Sequence, residues 1–291
     1  MKRIWSQYKD FIERHPIAGK VITGVVIIGL LVLLDLFVLF PISQRKKAFD
    51  FRGSGPDGII FKGKLYYNNP SGTFVYDPLT RKAERFSEQS SGRFVVWEDF
   101  LYYPGTNSLY RYDPAEDKRT CVFAADPPET DLRDPHPLTM EEVLEINGEA
   151  VEGLALLEFF RCDNGWLFDL RTGQSEAVEF HYAYGQPQIS LSDGRVLTVP
   201  PDPIMQKTEQ YSYEDGTVIT VELDRNSDTF RIRQRKGDTE LILENGDIPT
   251  AFWFDGEWLF YHMFGHGGRV YERHVEKQNG QYILTEPRQL K

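Results

Sequence analysis

The chain has 291 residues and a formal net charge of -11. Residues 1–50 hold eight Lys/Arg against four Asp/Glu, which leaves -15 on the remainder. A surface so acidic repels phosphate backbones and anionic headgroups, which argues against nucleic acid as a partner and allows basic proteins, amino sugars or divalent cations.

At the start of the chain, residues 1–17 form a short tail in which Ile4, Trp5, Tyr8, Phe11 and Ile12 recur at helical spacing, so the tail can lie along a membrane interface. Residues 18–40 are expected to be a transmembrane signal-anchor α-helix in contact with membrane lipid. Val21 to Phe40 is a twenty-residue apolar run with one charge, the length a helix needs to cross a bilayer. It exceeds the apolar core of a cleaved export signal, and no Ala-x-Ala pattern follows it. Lys2, Arg3, Lys9, Arg14 and Lys20 precede the run, and Arg45, Lys46, Lys47 and Arg52 follow it. This small excess, together with the usual signal-anchor arrangement, places the N-terminus in the cytoplasm and the C-terminal domain outside it, as a single-pass protein of the cell membrane. Asp35 interrupts the run and reads in two ways: a snorkelling bystander, or a contact to a cation on a partner transmembrane helix.

After a juxtamembrane linker, 41–56, the chain becomes repetitive. Lys64-Leu-Tyr-Tyr67 with Phe74-Val-Tyr-Asp-Pro78 recurs as Phe100-Leu-Tyr-Tyr103 with Tyr110-Arg-Tyr-Asp-Pro114, at an offset of 36 residues. A repeat of this size is one supersecondary unit, and its aromatic and β-branched alternation is that of half-buried strands. In each Tyr-Asp-Pro the aspartate can accept from the backbone two residues on, and proline presets the second turn position, so a tight turn is expected there. Weaker units run from Trp166 through Arg171-Thr-Gly173, from Ile219 through Asp224 to Asp228, and from Val270 to Asn279-Gly280. Phe252 to Tyr261 parallels Ile59 to Tyr67. The reading is an all-β domain over 57–291, a β-propeller of about five four-stranded blades, with four to six as the range.

The Leu-Tyr-Tyr and Tyr-Asp-Pro repeats resemble those of bacterial β-propellers related to the YWTD propellers of lipoprotein receptors and to TolB-type propellers. The resemblance is clear over residues 57–125 and faint beyond; no Tyr-Trp-Thr-Asp occurs here. It implies radial blades around a channel and a role in binding proteins or glycans, and it transfers no catalytic residue. A β-sandwich or an irregular β-solenoid is the competing architecture.

An insertion, 126–149, opens with a proline-rich stretch that prevents a central strand. Thr139 and Glu142 then form a capping-box pattern over Met140, Val143 and Leu144, so a short helix ending at Asn147-Gly148 is expected. This insertion is the first choice for a partner-specific element. Cys121 and Cys162 read either as a pair in an oxidising compartment or as two small buried hydrophobes.

Motifs of chemistry fail on context. Gly53 to Gly58 fits GxGxxG and Gly58 to Lys64 fits most of a P-loop, but Pro56 and the strand pattern from Ile59 exclude the helix the first would need, and Leu65 replaces the Ser/Thr hydroxyl that would hold magnesium in the second. His262, His266 and His274 are spaced as a glycine-rich hairpin with polar tips rather than as zinc ligands. Asp131, Asp134 and His136 fit no calcium loop. GxSxG, HExxH and CxxC do not occur. No catalytic residue, metal ligand or cofactor is therefore expected. The function expected is a membrane-anchored extracytoplasmic binding, sensing or assembly module for an envelope protein or glycan, with Tyr103, Trp166 and Tyr184 as rim aromatics for partner contact. The alternative is a surface polysaccharide or peptide hydrolase or lyase whose carboxylates converge from several blades.

Overall fold

The computed structural model describes residues 57–69, 71–87, 93–126, 138–141, 144–146, 149–159, 164–183, 186–191, 194–198, 206–246, 248–263 and 269–290, with Val25, 27–29 and Val32 near the start. Those few early residues are helical, and Val25, Ile27, Ile28 and Val32 are exposed. Among the described residues no helix is long and apolar enough to cross a membrane. Asp35 and most of the apolar run lie outside them.

The body from Ala48 onward is β-structure throughout its described residues. Its first sheet is an antiparallel meander of β1 (Gly58–Phe61), β2 (Lys64–Asn69), β3 (Gly72–Asp77) and β4 (Lys82–Ser87). The second repeats it with β5 (Val95–Trp97), β6 (Phe100–Pro104), β7 (Ser108–Asp113) and β8 (Lys118–Ala124). The 36-residue offset of the sequence is thus the offset of β2 to β6 and of β3 to β7. Within each copy the same cross-strand pair stacks: Tyr67 on Phe74 at 5.9 Å and Tyr103 on Tyr110 at 5.5 Å. Such a pair contributes about 0.5–1.5 kcal/mol beyond its area. Residues 58–64, which imitate a P-loop, are the β1–β2 hairpin, with Lys62 and Gly63 both at positive φ, as a two-residue primed turn requires.

The turn after each third strand is built by its aspartate. Asp77 Oδ1 accepts from the N–H of Leu79 at 2.9 Å, and Asp113 Oδ1 from that of Ala115 at 2.9 Å. Asp169 and Asp224 do the same for Arg171 and Asn226 in later sheets.

The third sheet has eight strands in the order β11-β10-β16-β15-β14-β13-β12-β9. Four of them, β9 (Leu138–Glu141), β12 (Leu154–Phe159), β13 (Asn164–Asp169) and β14 (Ser175–Ala183), form one meander-sized half. The other half is β15 (Gln186–Ser190), β16 (Val196–Thr198), β10 (Leu144–Ile146) and β11 (Glu149–Val151). β14 joins them: residues 175–179 pair with β13, and 180–183 with β15. The short helix expected from Thr139 is therefore strand. Leu138 and Met140 are fully buried and lie opposite Phe159 and Leu157, so a period of two through Leu138 prevails over the capping-box spacing. Asp131, Asp134 and His136 lie outside the described residues.

The remaining sheets are β17 (Gln206–Ser212), β18 (Thr217–Asp224), β19 (Thr229–Lys236) and β20 (Thr239–Gly246), then β21 (Ala251–Phe254), β22 (Trp258–Met263), β23 (Arg269–Gln278) and β24 (Gln281–Leu284), with β25 (Arg288–Gln289) on β23. His262, expected at a hairpin tip, is fully buried in β22 with its Nδ1 against Thr250 Oγ1; His266 lies outside the described residues. Cys121 is a free, exposed thiol on the outer strand β8 rather than a buried one, and Cys162 lies outside the described residues.

The sheets pack face to face, and five seams are seen among the described residues. Phe61, Tyr66 and Phe86 of the first meet Leu101, Tyr103 and Tyr112 of the second. Val95, Tyr102 and Leu109 of the second meet Leu138, Leu157 and Phe168 of the third. Leu156, Leu167 and Val178 on one half of the third meet Ile189 and Leu197 on its other half. Ile219, Val221 and Phe230 meet Phe252, Leu259 and Tyr261 of the last sheet. The last sheet then packs on the first: Trp253, Phe260, Val270 and Leu290 against Leu65, Tyr67, Phe74 and Tyr76. Antiparallel sheets stacked face to face, with the last packed on the first, are the architecture of a β-propeller.

A polar latch is set in that closing contact. Tyr76 Oη donates to Glu272 Oε2 at 2.7 Å, and Arg288 Nη2 pairs with Glu272 Oε1 and donates to Tyr76 Oη at 3.4 Å. Glu272 is 2% exposed. Removing one member of such a buried network leaves another polar group unpaired. Glu272→Gln is expected to lower the unfolding free energy by about 2–4 kcal/mol and Tyr76→Phe by about 1 kcal/mol, measured by urea denaturation. The double variant should lose less than the two together, and strict additivity would remove the latch.

The turn carboxylates give a pH dependence of known sign. Burial alone would raise the pKa of Asp169, but the N–H groups of Arg171 and Thr172 and the Arg171 charge hold it below the ordinary value. Asp224 is lowered by Ser227 first and by the Asn226 N–H. Depressed carboxylate pKa values stabilise above the unfolded value of about 3.9, and the contribution is lost as pH falls through the folded values. Asp169→Asn with Asp224→Asn should flatten the fall in denaturation midpoint between about pH 4 and 2; an unchanged slope would reject the role of these turns.

Candidate functional site

One face of β17 presents Lys207, Glu209 and Tyr211, alternate residues along an extended strand. Each meets a residue of β21 or its turn exactly 45 positions on. Lys207 Nζ donates to the carbonyl of Phe252 at 2.6 Å, and Glu209 Oε2 accepts from the N–H of Phe254 at 2.5 Å. Tyr211 lies on Gly256. The first strand of one sheet thereby uses side chains to satisfy the open backbone edge of the next, where a further strand would otherwise be needed. Lys207 and Glu209 also pair with each other at 2.7 Å. Burial raises the Glu209 pKa even so, against the lowering effect of Lys207 and the Phe254 N–H.

At its end this seam becomes aromatic. Tyr213 stacks on Tyr282 with ring centres 3.9 Å apart, and Tyr211 meets Tyr213 edge-on at 4.9 Å. Tyr213 donates its hydroxyl proton to the Gly256 carbonyl, and burial pushes its phenol well above the ordinary range. Tyr211 remains 43% exposed. Gly256 makes its position: at φ +93 an L residue is strained, and a Cβ there would stand 2.2 Å from the Tyr211 ring. Beside the rings Asp215 Oδ2 pairs with Lys277 at 2.8 Å and Lys236 at 3.2 Å. The bond to Lys277, followed by those to Thr217, holds the Asp215 carboxyl far below the usual range. Lys277 also lies 5.0 Å from the Tyr282 ring centre. A fixed, half-exposed phenol with paired charges at its border can stack a flat apolar surface and hydrogen-bond around it.

The expected rim aromatics lie elsewhere. Tyr103 is 4% exposed and stacked on Tyr110, with Phe86 edge-on at 5.0 Å, so it is a core ring between the first two sheets and not a rim contact. Trp166 is partly buried against Phe159 and Phe123. Tyr184 and Asp35 lie outside the described residues. Tyr211, Tyr213 and Tyr282 were not singled out in the sequence: Tyr211-Ser-Tyr213 marks a strand end, but nothing local brings Tyr282 to it. Among the described residues no group of three or more His, Cys, Asp or Glu is placed to hold a metal ion.

No family model matches the chain, and no curated protein matches it. Solved structures similar to it include an oligogalacturonate lyase from Vibrio parahaemolyticus, at 10% identity over 78% of this chain and 76% of that one, with a TM-score of 0.29. An auxiliary nutrient binding protein from Bacteroides thetaiotaomicron is 10% identical over 71% of this chain and 56% of that one, TM-score 0.32. A chain of a nidogen/laminin complex is 11% identical over 75% and 89%, TM-score 0.30. At these values the likenesses carry no argument, and the fold rests on the sheets themselves.

Gly256→Ala tests how the platform is held. It is expected to cost about 1–3 kcal/mol in chemical denaturation through backbone strain and the displaced ring. Adding Tyr211→Ala should return part of that loss by opening the space; full additivity of the two would show that Tyr211 does not rest on Gly256.

Proposed function

We propose that this protein is a membrane-anchored, extracytoplasmic six-bladed propeller that serves as a binding module for an envelope protein or glycan. Six, rather than about five, follows from counting the eight-stranded sheet as two blades, β9-β12-β13-β14 and β15-β16-β10-β11, with β14 shared between them. The anchor is the apolar run from Val21 to Phe40, whose length suits a single span. The cytoplasmic end is the basic tail before it.

The observation that carries the binding role is the Tyr211 platform. A ring left 43% exposed is seated on a positive-φ glycine and backed by a stacked pair of tyrosines. A glycine costs chain entropy and an exposed aromatic ring forgoes burial, and a contact surface is the return for that cost. Rigid tyrosines give contact area at little cost in side-chain entropy, which suits protein and sugar partners alike.

Two measurements test the reading. Protease shaving of intact cells should degrade the propeller while a cytoplasmic marker survives; a protected propeller would reverse the orientation. The full chain in detergent should retain a component from crosslinked envelope fractions, and Tyr211→Ala with Tyr282→Ala should reduce that retention about tenfold. Retention unchanged by the double variant would remove the platform as the contact.

A further inference from the structure

The sheet β17–β20 has two unlike faces. Toward the last sheet it buries Ile219, Val221 and Leu223 with Phe230 and Ile232, all 3% exposed or less. On the other face, strand alternation places Arg231, Arg233 and Arg235 in one row along β19, about 7 Å apart at the usual strand rise. Register sets Glu222, Thr220 and Val218 of β18 beside them, then Thr208, Gln210 and Ser212 of β17. On the outer side stand Glu240 and Ile242 of β20. Thr208, Gln210, Ser212, Arg235, Glu240 and Ile242 are exposed and the others are half-buried, so this face is wet along β17 and β20 and partly covered along β18 and the middle of β19.

The three arginines are not equally employed. Arg233 pairs with Glu222 and, at 2.9 Å, with Glu240. Its pKa is raised by the bond to Glu222 and then by that to Glu240. Among the described residues Arg231 and Arg235 have no hydrogen-bond or ion-pair partner; the Nε of Arg231, like that of Arg233, is buried without an acceptor. A guanidinium held at a sheet face with unspent donors is set for an anion, since its planar fork matches carboxylate and phosphate oxygens two at a time. The same row holds Asp224, bonded to Gln206 and to its own turn, so three arginines stand with three carboxylates, and Arg231 and Arg235 are the two cations that none of these carboxylates takes up.

We infer that this face binds an anionic polysaccharide, its carboxylate or phosphodiester groups on Arg231 and Arg235 and its hydroxyls on Thr208, Gln210, Ser212 and Thr220. The row of hydroxyl and amide side chains beside the arginines decides for a glycan. A protein partner would call for an apolar centre, and this face offers only Val218 and Ile242. The site is separate from the tyrosine platform and stands whether or not that platform binds anything.

The test is calorimetric titration of the full chain in detergent with three probes: a uronic acid hexamer, a glycerol phosphate hexamer and neutral maltohexaose. At least one anionic probe should bind, and maltohexaose should give no heat. Affinity should fall about tenfold as salt rises from about 0.05 to 0.3 M. Comparing the two anionic probes separates carboxylate from phosphate recognition. Arg231→Gln with Arg235→Gln should weaken binding at least about tenfold with an unchanged thermal midpoint, and the corresponding double Lys variant should fall between. Leu79→Ser, on the first sheet, should bind as the unaltered chain does. No heat with either anionic probe, or equal binding by the Gln variant, would overturn the site. A polyglutamate peptide bound as tightly as the glycans, with the same arginine dependence, would overturn the assignment to a glycan.

Discussion

Everything in this architecture depends on one buried carboxylate. Glu272 sits between the hydroxyl of Tyr76 and the guanidinium of Arg288, where the last sheet meets the first. The apolar packing around it would close the ring with some loss of precision in how the sheets face each other; hydrophobic contact is non-directional. The latch is directional, since a carboxylate so placed is tolerable only when both its oxygens are met. It fixes the last sheet against the first at a defined height.

The local grammar of the fold was legible in the sequence because it is short-range. Asp77, Asp113, Asp169 and Asp224 each bond a backbone N–H two residues on, and that needs only the aspartate and the turn after it. The Tyr67–Phe74 and Tyr103–Tyr110 pairs follow from hairpins whose repeat spacing is plain. What was hidden is non-local. The hairpins β10–β11 and β15–β16 come from separate parts of the chain and meet in one half-sheet. Met140 looks helical until β12 is placed beside it. Tyr103 was misplaced for a third reason: the second strand of a sheet such as β6 is covered on both faces by its neighbours, so alternation along the strand does not separate a wet side from a dry one. The tyrosine platform joins Tyr213 to Tyr282, a meeting that only the folded ring creates.

The sheet β17–β20 concentrates the unusual features. One face supplies a full apolar seam and, along β17, side chains that finish the edge of β21. The other face stays partly wet and carries its arginines in a row. A blade normally spends both faces on packing, and this one keeps part of its second face wet. Departures of this kind are where stability has been given up to function.

The latch also orders events in time. Tyr76 and Arg288 are 212 positions apart, so during synthesis the first sheet is complete long before its closing partner exists. Until then Leu65, Tyr67, Phe74 and Tyr76 have one side uncovered, and the nascent chain carries an aromatic surface in search of a mate. A growing polypeptide in that state is a natural client for chaperones, and the ring is sealed by the segment that emerges late.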